Sequence, residues 1–111
     1  MDKSELITRL RKPEWQDLEC KKAQHGVSDD AYRTVSAFAN TSGGYLVFGV
    51  KDVHGELEVV GVLEPDKVQN DFLSTLRTGD KFNRVICVTE DRVEHEGKTI
   101  LVFHIPESPR L

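Results

Sequence analysis

The stretch Phe38-Ala39-Asn40-Thr41-Ser42-Gly43-Gly44-Tyr45-Leu46-Val47-Phe48-Gly49-Val50-Lys51-Asp52 decides the fold. Just upstream, Ser28 is a good N-cap and Asp29 and Asp30 complement a helix dipole. Ala31, Val35, Phe38 and Ala39 then recur on one helical face, which predicts a helix over 29–41. A glycine pair directly after a helix supplies positive φ without steric cost and lets backbone amides face outward. Tyr45–Lys51 is β-rich and apolar enough to be a strand covered on both faces. Helix, turn and strand together deliver Lys51 and Asp52 to a strand tip.

Working outward, Leu6, Ile7 and Leu10 predict a helix over 2–11, closed by Pro13. Leu18–Ala23 alternates, with Leu18 and Cys20 on one face and Glu19 and Lys21 on the other. On the far side, Asp52-Val53-His54-Gly55 makes a hairpin turn into Leu57–Val62. Pro65-Asp66 opens a helix carrying Val68, Phe72, Leu73 and Leu76, with Gly79 beyond its end. Arg84–Glu94 reads as a strand through Val85, Cys87 and Thr89, and Glu96-Gly97 turns it into Thr99–Ile105, which Pro106 stops. The order α-β-α-β-β-α-β-β predicts an α+β two-layer sandwich, helices packed on a mixed sheet.

Its 111 residues suffice for a single domain with one core. No apolar run reaches membrane-spanning length and the polar start is unlike a signal peptide, so the expected location is cytoplasmic, with no membrane partner. Cys20 and Cys87 lie in apolar patterns and are expected as reduced core residues. Of the net charge of −4, residues 1–55 contribute none, with eight basic and eight acidic side chains. Residues 56–111 carry seven basic and eleven acidic ones, so a basic face can come only from the first half. Gly44 to Lys51 is no phosphate loop, because the Gly-Lys-Ser/Thr ending is missing and the intervening residues are apolar. His25, His54, His95 and His104 have no metal-ligand spacing, and no nucleophilic triad is apparent.

Ala37–Gly44 followed by Leu46–Asp52 resembles the centre of the Schlafen AlbA-type domain. Glu14-Trp15-Gln16-Asp17-Leu18-Glu19-Cys20-Lys21 is similar to that family's opening motif, with Cys20 where its Glu-Phe-Lys strand has phenylalanine. Glu96-Gly97-Lys98 and Ile105-Pro106-Glu107-Ser108 resemble its hairpin and following strand end. The resemblance covers roughly 13–108 and implies a nucleic-acid-binding, first of all DNA-binding, module of a transcriptional regulator or RecG-related, helicase-like protein. It also implies that 1–111 is one domain cut from a larger protein, with an effector domain following Leu111.

In Schlafen proteins, related domains carry a three-carboxylate endoribonuclease site. Carried over by position, those carboxylates fall on Glu14, Glu19 and Asp52, which would hold Mg²⁺ or Mn²⁺, with Lys21 as an electrostatic helper. The plainer alternative makes Glu19 and Lys21 solvated neighbours on an exposed strand face. Binding without catalysis needs a basic strip, for which Arg9, Arg11, Lys12, Lys21, Lys22 and Lys51 are candidates, and backbone amides, for which Ser42, Gly43 and Gly44 are candidates. Trp15 and Tyr45 are candidates for stacking on bases or for packing. An acidic chain predicts weak, salt-dependent binding by this piece alone. A homodimer formed through an exposed sheet edge is the reading from a different class.

Overall fold

The computed structural model describes residues 1–12, 15–78 and 85–108. Pro13, Gly79 and Arg84, expected at element boundaries, lie outside the described residues, as does Glu14. Helix α1 (Lys3–Leu10) is capped by the Asp2 carboxylate, which accepts from the Glu5 amide. Strand β1 (Leu18–Lys21) follows, then α2 (Asp29–Ala39), capped by Ser28 as its sequence requires. After the glycine turn come β2 (Gly44–Phe48), β3 (Val50–Val53) and β4 (Glu56–Val59). Helix α3 (Pro65–Thr78) and the hairpin of β5 (Thr89–His95) and β6 (Lys98–Ile105) complete an α+β fold.

The main sheet runs β1-β2-β6-β5. β1 and β2 are parallel, the return path being α2, and the remaining pairs are antiparallel. Alternation along β2 and β6 divides the core between two faces. Leu46, Phe48, Leu101, Phe103 and Ile105 meet α2 and α3 on one side. Val47, Ile100 and Val102 meet Leu6 and Leu10 of α1 on the other. Phe72 of α3 anchors the larger cluster, with ring centroids 5.2 Å from Phe48 and 4.6 Å from Phe103.

Three expectations are corrected. The run Tyr45–Lys51 is not one strand, because Gly49 (φ +97°) breaks it and sends Val50–Val53 into a second, two-stranded sheet with β4. That adds a strand to the expected order. The strand expected from Arg84 begins at Thr89, and Val85–Val88 has no regular structure. Cys87 is exposed, the buried neighbour being Ile86, whereas Cys20 is half-buried against the α1-side cluster.

Candidate nucleic-acid interface

The β1 edge gathers most of the residues of interest. Arg9, at the end of α1, is only 11% exposed, and its Nη2 donates to the Asp17 carboxylate. Its guanidinium carbon lies 4.5 Å from the Trp15 ring centroid and 5.5 Å from that of Tyr45. Trp15 Nε1 donates to the Arg9 carbonyl oxygen at 2.8 Å, and the Lys12 amide donates to the same oxygen at 3.2 Å. Tyr45 in turn meets His104 at 5.0 Å between centroids. A continuous flat-faced strip therefore runs His104, Tyr45, Arg9, Trp15. In it Arg9 acts as a clamp between rings, which leaves little of its charge for a phosphate.

A small hollow of about 70 Å³ opens at the Trp15 end, lined by Trp15, Leu18, Glu19, Cys20, Asp52 and Leu57. Two of the three candidate carboxylates thus share one hollow. Asp52 Oδ1 also accepts the Gly55 amide at 2.9 Å, so the residue caps the β3–β4 turn while lining the hollow. The Cys20 thiol is pushed up to about 12 by burial first, then by the negative charges of Glu19 and Asp52, with Lys21 opposing them. It is therefore protonated at neutral pH and no nucleophile. Among the described residues, no group of three or more His, Cys, Asp or Glu side chains is placed to share a metal.

Lys21 reaches across to α2 and donates to Asp30. That hydrogen bond, and then the ammonium's charge, hold the Asp30 carboxyl below its usual range. In the sequence Asp30 reads only as a first-turn helix residue, because nothing local reveals a partner nine positions away. Arg11, Lys12, Lys22 and Lys51 are exposed. Lys51 stands opposite Glu58 in the β3–β4 register.

A larger cleft, about 440 Å³, opens at the other end of the strip, against the glycine turn. Gln16, Asp17, Ser42, Gly43, Tyr45 and His104 contribute to its walls. The glycines serve this turn in two ways. Gly43 has φ +79°, and a Cβ there would lie 2.7 Å from the Ile105 carbonyl oxygen. At Gly44 a Cβ would lie 2.7 Å from the Phe38 ring. The Gly43 amide donates to the Phe38 carbonyl at 2.9 Å, so closing the helix has already consumed it. The turn also lies at the carbonyl end of α2, the end that repels anions. Sequence reasoning missed His104, whose pairing with Tyr45 depends on the β2–β6 register.

A family model described as Schlafen, AlbA_2 matches residues 14–111, and the chain belongs to that family. Among solved structures it is similar to the N-terminal domain of a RecG-related protein from Nitrosomonas europaea, with 33% identity and a TM-score of 0.69. The match covers 85% of this chain and 65% of that one, so the chain spans just under two thirds of the length of that structure. No helix among the described residues is long and apolar enough to cross a membrane.

Proposed function

We propose that this chain is a nucleic-acid-binding module, serving DNA in the first instance, within a regulatory or helicase-related protein. The observation that carries the reading is the company kept by the β1 edge. Exposed Arg11 and Lys12 precede it, Lys22 follows it, and Lys51 comes from the adjoining β3, with the partly exposed Trp15 ring among them. Such an arrangement offers cations to a phosphate backbone and a ring to a base. Membership of the Schlafen AlbA_2 family supports it.

With a net charge of −4 the chain repels nucleic acid at long range, so binding should be weak and steeply salt-dependent. Fluorescence anisotropy against DNA and RNA across a salt series tests this. Substituting Lys12 or Lys22 by Gln should flatten the plot of log K against log salt by about 0.7–0.9 per lost contact. Absence of binding to either nucleic acid at low salt would overturn the reading.

A second reading is supported by one further observation, the sharing of a hollow by Glu19 and Asp52. Oxygen donors on one or two carboxylates suit Mg²⁺ or Mn²⁺, which keep several waters and complete their shell with substrate phosphate. Glu19 and Asp52 would hold such an ion, and its charge would favour phosphodiester hydrolysis. Mn²⁺ should then raise the melting temperature of the wild type but not of Glu19→Ala, and RNA cleavage should need both. If Mn²⁺ leaves the wild-type melting temperature unmoved, this second reading fails.

A further inference from the structure

Resting on the nucleic-acid reading above, we infer that the cleft between the glycine turn and the Tyr45–His104 pair seats one unpaired nucleobase, which makes single strands the preferred ligand. At about 440 Å³ the cleft falls within the usual range for small-ligand sites, roughly 300–1,000 Å³. Its walls combine the rings of Tyr45 and His104 with hydrogen-bonding groups on Gln16, Asp17 and Ser42, a combination that suits a planar heterocycle through aromatic contact and its polar edge.

The same walls discriminate against phosphate. Among the described residues no lysine or arginine lines the cleft, and the Asp17 carboxylate already holds the Arg9 guanidinium. The carbonyl end of α2 points toward the turn, and the Gly43 amide there is already bonded to the Phe38 carbonyl. A neutral base is therefore favoured here and an anion is not. The strip of Tyr45, Arg9 and Trp15 then leads out of the cleft toward the cationic β1 edge. A base in the cleft and a phosphate on that edge are the two ends of one nucleotide track. A paired base cannot enter, since its edge and both faces are already occupied within a duplex.

The test uses four probes in the same anisotropy assay: an oligodeoxyadenylate, the corresponding RNA, an abasic DNA strand of equal length, and a DNA duplex. At least one base-bearing single strand should bind about tenfold more tightly than the abasic strand and more tightly than the duplex. Ser42→Leu fills the cleft from an exposed position and should abolish the gain from bases, read as the ratio of base-bearing to abasic affinity. His104→Ala should reduce that gain, with circular dichroism confirming the fold of both variants. Equal affinity for base-bearing and abasic strands, tightest binding of the duplex, or a gain that survives Ser42→Leu would overturn the inference and leave phosphate binding intact. Failure of all four probes to bind would overturn the underlying function as well.

Discussion

Alternation treats Cys20 and Cys87 alike, yet their surroundings separate them. Around Cys87 both parities are apolar, since Val85 and Cys87 share one and Ile86 and Val88 the other. Burial of Ile86 in the larger cluster selects the second parity and turns Cys87 outward. No local pattern could have made that choice. The consequence is chemical. The Cys20 thiolate is disfavoured until pH approaches about 12, because burial and two neighbouring carboxylates oppose its charge. A disulfide reagent at pH 8 should therefore label Cys87 rapidly and Cys20 only on unfolding. In Cys87→Ser, raising the pH through the ordinary thiol range should barely accelerate labelling of native Cys20. Equal labelling rates for the two thiols in the native protein would contradict this account. The carboxylates teach a related lesson. Family likeness could nominate Glu19 and Asp52, but their sharing of a hollow depends on two strands meeting, which spacing along the chain does not encode.

Helices and turns were legible because their signals are local: Ser28 as a cap, Pro65 as a helix start, and Glu96-Gly97 as a hairpin turn. The division of the central strand was not. Gly49 sits inside a run that reads as continuous β-structure, and what breaks that run is tertiary. Its amide donates to the carbonyls of Lys21 and Lys22, while its own carbonyl accepts from the amides of Val60 and Gly61. A Cβ at Gly49 would stand 2.9 Å from the Thr99 carbonyl oxygen and 3.1 Å from the Val62 amide nitrogen, at φ +97°. Gly49→Ala should cost at least about 1–3 kcal/mol for backbone strain alone, with the steric conflict adding to it. The denaturation midpoint in urea should fall while the m-value stays unchanged. A loss below about 0.5 kcal/mol, the range of ordinary surface substitutions, would mean that the β2–β3 junction tolerates a side chain.

At the scale of the whole molecule, the α+β class followed from the order of elements and the two-sided burial of the central strand from its apolar run, whereas which residues face α1 and which face α2 and α3 is set by the fold. The two hollows did not follow from either. Each joins residues from segments distant in sequence, and their common boundary is a strip of planar groups whose members sit in α1, β2, β6 and the α1–β1 connection. The convergence at Gly49 has a last consequence, in the time domain. Its peptide group is buried and ties the end of β1 and the exit of β4 to the central strand. Releasing it requires all these segments to part together, so its opening is tied to global unfolding rather than to local fraying. In deuterated buffer the Gly49 amide should be among the last to exchange, far slower than the exposed turn amide of Gly97, and its protection should report the stability of the entire fold from a single peptide proton.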